Sequence, residues 1–248
     1  LQNNTTGNNN TANGASSLRN NSTGIKNTAN GSQALNSNTI GNHNTAMGYM
    51  SLTDNTTGNY NTANGYMSLT NNTTGNYNAA NGYMALQYNT TGGYNTANGN
   101  FALRFNTEGQ FNTANGSSSL QSNTTGNNNV ANGRNAGISN TQGNLNTFIG
   151  YNATGISGTL NNATAIGANS SVASDNSIQL GDAQITTVIT SGALTTGAVT
   201  YPNTDGSAGQ VLTTDGSGNL SFQNDSLGVY TAGPGINIVN NVVSVKDT

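Results

Sequence analysis

Apolar residues recur at a fixed spacing of 17 positions through the first 150 residues of the chain. One row consists of alanines and another of leucines, and polar residues fill most of the positions between them. The two rows are Ala12, Ala29, Ala46, Ala63, Ala80, Ala97, Ala114 and Ala131, and Leu18, Leu35, Leu52, Leu69, Leu86, Leu103 and Leu120. A short period repeated this often predicts that each unit is one coil of a solenoid, which is buried only by stacking on its neighbours.

The residues of one repeat favour short strands joined by turns. Asn, Thr and Gly are weak helix formers, and 17 residues are too few for a pair of helices. In the repeat that starts at Asn55, we predict one strand at 61–64, a second at 66–69, and a corner at Gly65. The Asn-Thr-Thr-Gly stretch is predicted to form the longer outer turn. The predicted fold class is therefore an all-β repeat solenoid, a β-roll or β-helix, in which nine coils span roughly 43 Å at about 4.8 Å each.

Glycine and asparagine recur with the same period. The corner glycines are expected where a positive φ or a close contact between coils excludes a Cβ. Each asparagine amide has a donor and an acceptor that reach the copies above and below it, so the repeated asparagines predict ladders. The residues with structural roles in the middle coils are accordingly Gly48, Gly65, Gly82, Gly99, Asn61, Asn78, Asn95, Leu52, Leu69 and Leu86.

One leucine in each coil makes a thin core, whereas a solenoid that folds alone usually stacks several aliphatic rows. We therefore expect the leucine row, or a row beside it, to meet other chains about a symmetry axis. Three-fold association is the preferred count, which predicts a homotrimeric fibre whose chains are intertwined or lie side by side. Leu1 has the same phase as Leu18, so the segment is expected to begin inside a coil of a longer fibre.

The repeat changes after residue 150, and the sequence divides into four segments. Residues 1–150 hold the 17-residue repeats, 151–184 hold shorter ones, 185–225 form a Thr/Gly-rich β connector, and 226–248 form a C-terminal β-hairpin module that is expected to be truncated. The stretch at 163–182, ATAIGANSSVASDNSIQLGD, resembles the head repeats of YadA-like trimeric autotransporter adhesins. This resemblance implies a left-handed β-roll wound about a three-fold axis.

Turn signals mark the C-terminal segments. Two Asp-Gly turns, at Asp205-Gly206 and Asp215-Gly216, enclose the apolar pair Val211-Leu212, and the stretch is similar to linker modules of phage tail-fibre-like and bacterial surface-fibre proteins. Residues 236–245 read as two β runs around an Asn-Asn turn, which predicts a hairpin. The preceding YTAGPGI stretch is similar to fibre modules that come before such a hairpin.

Charge and composition narrow the functions that the chain can have. Charged residues make up 5% of it, the net charge is −3, and it has one histidine and no cysteine. Binding to nucleic acids or anionic membranes requires clustered Lys or Arg, which the chain lacks, so neither is a predicted partner. The chain also has no apolar run of about 18 residues, so no membrane span is predicted in this segment. His43 has no partner for a catalytic triad or a metal site. We therefore predict a protein that is not an enzyme, with no catalytic residues, no cofactor and no metal.

Two aromatic rows are the candidate ligand-binding residues. They occur only in the middle coils, and their members are Tyr49, Tyr66, Tyr83, Tyr60, Tyr77 and Tyr94. Stacking between coils would stiffen the solenoid, whereas exposure would make the rows a carbohydrate-binding ladder.

The leading hypothesis is an extracellular adhesive fibre, displayed on a bacterial cell surface or as a tail fibre on a phage-like particle. Its predicted partners are its own chain and a cell-surface glycan or host receptor. An ice- or crystal-binding solenoid is an alternative, because threonines recur at Thr11, Thr28, Thr45, Thr62, Thr96 and Thr113. A tailspike-type polysaccharide lyase or hydrolase is the least favoured class, since the repeats lack paired carboxylates.

Overall fold

The chain is all-β in the computed structural model. The structure describes residues 1–189, 191, 194–197, 199–201, 206–224, 236–239 and 242–245. These residues form two compact units, Leu1–Ile185 and Thr186–Thr248. Within the described ranges there is no helix that is long and apolar enough to cross a membrane.

The first unit is a parallel β-solenoid built from short strands. Its strands are β1 Thr11–Asn13, β2 Thr28–Asn30, β3 Thr45–Met47, β4 Thr62–Asn64, β5 Ala79–Asn81, β6 Thr96–Asn98, β7 Thr113–Asn115, β8 Val130–Asn132, β9 Thr147–Ile149, β10 Thr154–Gly155, β11 Thr164–Ile166, β12 Ser171–Val172 and β13 Ile178–Leu180. All except β10 and β12, which pair with each other, belong to one sheet of eleven strands. Each strand pairs with the copy 17 residues away, except that β11 pairs with β13 at a spacing of 14. The predicted all-β solenoid with 17-residue coils is confirmed.

Alternation within each strand sets which side chains are buried. In β4, Ala63 is fully buried, whereas Thr62 and Asn64 on either side of it are exposed. Successive side chains of a strand point to opposite faces, so one small residue per coil lies in the interior here. The alanine row therefore lines the inner face of the sheet, and the threonine and asparagine rows cover its outer face.

The prediction of a second strand at 66–69 is wrong. This segment is a turn in which Met67 and Leu69 have φ values of +52° and +53°, in the left-handed region. Bulky residues rarely adopt this conformation. Its repeated use bends the chain within a few residues and directs Leu69 into the coil, where it is fully buried.

Glycine is required in the two glycine rows for different reasons. Gly65 is at the predicted corner with φ +139°, and a Cβ there would collide with the carbonyl oxygen of Gly82. Gly58, in the Asn-Thr-Thr-Gly stretch, does not have a left-handed φ. A Cβ at Gly58 would collide with the side-chain oxygen of Asn55 and the carbonyl oxygen of Gly75, so close contact alone requires glycine at this position.

The leucine row is buried inside the single chain. Leu52, Leu69 and Leu86 each have 0% exposure without any partner. The prediction that the leucine row itself meets other chains is therefore wrong, because each coil closes around its own leucine. Contact through a row beside it stays a prediction. Three-fold association stays a prediction, but the leucine row does not support it.

The second unit contains three antiparallel hairpins among its described residues. They join β14 Leu194–Thr196 to β15 Val199–Tyr201, β16 Gln210–Thr214 to β17 Leu220–Asn224, and β18 Ile236–Val239 to β19 Val242–Val245. The predicted C-terminal hairpin is confirmed by the pairing of β18 with β19, and the predicted turn at Asp215-Gly216 lies between β16 and β17. The predicted Asn240-Asn241 turn lies outside the described residues. Asp205 and residues 230–235 lie outside the described residues.

Candidate binding surface

One row of asparagines forms a buried hydrogen-bond ladder along the solenoid, as the repeat predicts. The backbone N–H of Asn61 donates to Asn44 Oδ1 at 2.9 Å, and Asn61 Nδ2 donates to the carbonyl oxygen of Gly75 at 2.8 Å. Asn61 is fully buried, and Asn78 and Asn95 repeat its contacts. This ladder supports the strand from within, since each asparagine bonds the preceding coil through its backbone N–H and the following coil through its side chain.

A second buried ladder was missed by the sequence reasoning, which placed its asparagines in an outer turn. Asn72 Nδ2 donates to Asn55 Oδ1 at 2.8 Å and to the Gly75 carbonyl at 3.0 Å, and Asn72 Oδ1 accepts from Asn89 Nδ2 at 2.7 Å. The row keeps asparagine at Asn21, Asn38, Asn55, Asn72, Asn89, Asn106, Asn123 and Asn140. That constancy was the available signal, because a solvent-exposed turn would tolerate other residues. In the part of the chain that is described, no buried side-chain nitrogen or oxygen lacks a partner.

The candidate tyrosines lie on the outer surface, on either side of the strand in each coil. Tyr60 precedes β4 and is 48% exposed, and Tyr66 follows the corner glycine and is 44% exposed. Between them the exposed Thr62 and Asn64 cover the outer face of the sheet. The middle coils therefore present two aromatic rows separated by hydroxyl and amide groups.

Rings within each row stack on one another. In the first row Tyr60 and Tyr77 have ring centroids 4.9 Å apart and planes within 2°, and Tyr77 and Tyr94 are 4.8 Å apart. His43 and Phe111 extend this row at its two ends, at 4.7 Å and 4.8 Å. The rings are thus both stacked and about half exposed, so a ligand would meet partly covered ring faces and ring edges.

The second row is shorter and ends in a different contact. Tyr49 and Tyr66 have centroids 5.3 Å apart, and Tyr66 and Tyr83 are 5.2 Å apart. The ring of Phe101 then meets Tyr83 edge-on, at 5.3 Å and 89°. This contact joins the row to a cluster around Arg104.

Backbone conformation shows that the fold does not require aromatic residues in the first row. Tyr60 and Tyr77 both have φ +57°, in the left-handed region that asparagine tolerates better than tyrosine. Other coils have asparagine in this row, at Asn9, Asn128 and Asn162, with the same conformation. The tyrosines therefore adopt an unfavourable backbone conformation, and either ring stacking or a function at the surface accounts for tyrosine at these positions.

Arg104 is the centre of an aromatic cluster that the sequence reasoning did not identify. Its guanidinium carbon lies 5.0 Å from the ring centroid of Phe105, 5.1 Å from that of Phe101 and 5.7 Å from that of Tyr88. Arg104 Nε donates to Gln87 Oε1 at 2.9 Å. We call Arg104, Tyr88, Phe101 and Phe105 the Arg104 cluster. Its members come from two adjacent coils. The period places Phe105 above Tyr88, but it does not indicate that Phe101 and the Arg104 guanidinium pack against these rings.

Titratable groups are sparse on the rest of this surface. Desolvation raises the pKa of the Asp54 carboxyl above its ordinary value of 3.8. Among the described residues, no three His, Cys, Asp or Glu side chains come together in a group that could hold a metal ion.

Comparison of the chain with protein-family models, curated proteins and solved structures gave no match. The arguments for function therefore rest on the surface itself.

Proposed function

We propose that the chain is a stiff, non-enzymatic segment of an extracellular attachment fibre, carried by a bacterial cell surface or by a phage-like particle. The middle coils would provide the contact surface through their aromatic rows. A weak contact repeated along one rigid object gains strength through multivalency. The resemblance of residues 163–182 to trimeric adhesin head repeats supports the same role.

The uninterrupted sheet from Thr11 to Leu180 is the observation that carries this proposal. Each coil is bonded in both directions: the Thr62 N–H donates to the Asn78 carbonyl and the Gly65 N–H to the Met47 carbonyl, both at 2.8 Å. Buried amide ladders add further bonds between coils. Such cross-linking along the axis supports a mechanical role as a spacer.

An exposed aliphatic row supports association of several chains. Ile149, Ile166 and Leu180 pair in register on the outer face of the sheet and are 39%, 39% and 46% exposed. In coils further upstream the same row has asparagine, as at Asn64 and Asn132, with the exposed Met47 as an exception. A run of exposed aliphatic side chains is a suitable contact for other copies of the chain. We therefore place the proposed three-fold contact at this row.

Immunogold labelling of intact producing cells, and of particles released from them, tests the proposed location. An antibody against the chain should label the cell surface or the particle without permeabilisation. The label on particles alone would favour the tail-fibre alternative. Labelling that appears only after permeabilisation would overturn the proposal.

Light scattering of the full chain tests the proposed trimer. Three chains have three times the mass of 25.2 kDa that one chain has. The double variant Ile149→Asn and Ile166→Asn copies the asparagine of the upstream coils and should shift the mass to that of one chain with unchanged circular dichroism. A monomeric wild-type chain, or a trimer that survives the substitutions, would refute this contact.

Ice or crystal binding remains a second candidate because of the outer face of the sheet. Thr62 and Asn64 face outward from in-register strands, which repeats hydroxyl and amide groups along the solenoid. Ala79 and Val130 interrupt the threonine row. Thermal hysteresis and ice recrystallisation assays on the full chain decide this candidate, and activity in them would favour it over the fibre.

A further inference from the structure

Arg104 is a half-buried cation without an ionic partner. Between Lys26 and Arg134 it is the single Lys or Arg in the sequence. Within the described residues it has no ion pair, and its side chain makes one hydrogen bond, from Nε to Gln87. Both Nη groups therefore retain donors, and the bond at Nε and the surrounding rings restrain the guanidinium.

A restrained guanidinium with free Nη–H groups matches a carboxylate. The planar group can donate two parallel hydrogen bonds to the two carboxylate oxygens, which a lysine ammonium cannot do. The rings beside it are open to solvent: Tyr88 is 36% exposed and Phe105 is 40% exposed, and their centroids are 5.4 Å apart. The cluster thus places one planar guanidinium group beside an exposed apolar surface.

We propose that the Arg104 cluster binds a carboxylate-bearing sugar, a uronic or sialic acid residue of a polysaccharide or glycan. The carboxylate would pair with Arg104, and the apolar face of the sugar ring would pack on the exposed rings of Tyr88 and Phe105. One coil away in the rows of Tyr88 and Phe105 are the half-buried Asn71 and Ser122, whose side chains offer donors and acceptors to sugar hydroxyls. Aromatic surface with a few placed polar groups is the usual composition of a ligand site.

The backbone argues against an acidic peptide as the ligand. A peptide that binds as an added strand needs free backbone groups at a sheet edge. Here the Phe105 N–H donates to the Gln121 carbonyl, and the Tyr88 N–H donates to the Arg104 carbonyl. Bonds between coils thus use the backbone at the cluster, and recognition depends on side chains.

The biological use of this site rests on the proposed attachment function, whereas its chemistry does not. Binding of an acidic sugar is measured on the purified full chain, and location is measured by labelling of cells and particles. A chain that lies on the surface but does not bind acidic sugars would overturn only the site. A chain that binds them but lies inside the cell would overturn only the attachment function.

Calorimetry or ligand-observed NMR with defined oligosaccharides tests the site. The probes are trigalacturonic acid against its methyl ester, and sialyllactose against lactose. We expect the wild-type chain to bind at least one of the two acids at least tenfold more tightly than its neutral counterpart. Which acid binds identifies the source of the carboxylate. Equal binding of acid and neutral forms, or no binding of either acid at millimolar concentration, would overturn the proposal.

Substitutions that copy other coils separate recognition from folding. Arg104→Gln introduces the residue that stands at Gln87 and Gln121 in the same row, so the variant is expected to fold with unchanged circular dichroism. It should weaken binding of the acid at least tenfold, and Arg104→Lys should weaken it severalfold because lysine lacks the planar fork.

The matched control is Arg134→Ser. Arg134 is exposed and contacts one ring, that of Tyr151 at 5.7 Å, and serine stands in its row at Ser117. This variant removes the same charge from the chain but should leave binding unchanged. Equal losses in Arg104→Gln and Arg134→Ser would show that net charge, and not the cluster, attracts the acid.

Discussion

The ring of Phe148 occupies the space that a leucine would need at Gly137. Phe148 stands in the alanine row and is 1% exposed, and Gly137 stands in the row that has Leu120 one coil earlier. A Cβ at Gly137 would lie 2.6 Å from Phe148 Cδ2 and 2.9 Å from Leu120 Cδ2. A large residue in one row is thus balanced by the smallest in the other, which keeps the volume of the coil nearly constant.

Replacing these two residues with the alanine and leucine of the preceding coil should show that their effects on stability are strongly coupled. Phe148→Ala leaves a cavity and is expected to cost about 3–5 kcal/mol, and Gly137→Leu overfills the coil at a cost of about 1–3 kcal/mol. The double variant recreates the Ala131 and Leu120 arrangement and should be more stable than either single variant. Leucine fits the backbone there, since Gly137 has φ +65° and Leu120 has φ +46°. Urea unfolding of the wild type, the two single variants and the double variant measures this double-mutant cycle. If the losses in the free energy of unfolding simply added, the proposed volume compensation would be contradicted.

The second asparagine ladder should be important for stability. Asn72→Ala removes the donor to Asn55 and Gly75 and the acceptor for Asn89, and leaves buried groups unpaired. We expect the free energy of unfolding to fall by about 2 kcal/mol or more. The control is Asn71→Ala, because the half-buried Asn71 makes no side-chain hydrogen bond within the described residues. Urea unfolding should show a change within about 0.5 kcal/mol for the control, and equal costs would refute a structural role of the ladder.

The stacked tyrosines should contribute little to stability. Tyr77→Asn loses two stacking contacts, at 4.9 Å and 4.8 Å, each worth about 0.5–1.5 kcal/mol, but relieves an unfavourable left-handed tyrosine. We expect a net loss of about 1 kcal/mol or less. Leu69→Asn is the control, since Leu69 has φ +53° but is buried, and the variant should cost about 2–5 kcal/mol. Thermal and urea unfolding measure both variants. Equal losses in the free energy of unfolding for the two substitutions would contradict this prediction.

The hairpin of β16 and β17 should lose a stabilising interaction at acidic pH. A hydrogen bond from the Asn219 side chain, followed by one from the Ser217 backbone N–H, lowers the pKa of Asp215 below its ordinary value of 3.8. A lowered folded pKa means that the contribution is present above pH 3.8 and is lost as the pH falls through the folded value.

Carbon-detected NMR of the Asp215 carboxyl measures this titration in the full chain. The midpoint should lie below 3.8 and should rise in the Asn219→Ala variant, which removes the strongest of these bonds. A midpoint at or above 3.8, or one that Asn219→Ala leaves unchanged, would contradict the assignment.

Strands and corner glycines could be predicted because each depends on local residue preferences within a repeat. The strand β4 lies inside the predicted 61–64 segment, and Gly65 has the positive φ expected of its corner. The predicted strand at 66–69 failed for a reason that residue type does not reveal. Left-handed conformations occur there at methionine and leucine, which rarely adopt them, and stacking between coils imposes them.

The sequence by itself determined the period, the coil and the rows, since residues 17 apart must lie above one another in a stacked solenoid. Only the tertiary structure decided which rows are buried. Left-handed residues turn Leu69 inward, and the second ladder of Asn72 fills the interior beside it. The period also places Phe105 above Tyr88, but only the tertiary structure showed that Phe101 and the Arg104 guanidinium pack against these rings, because the path of the chain between strands sets which rows meet.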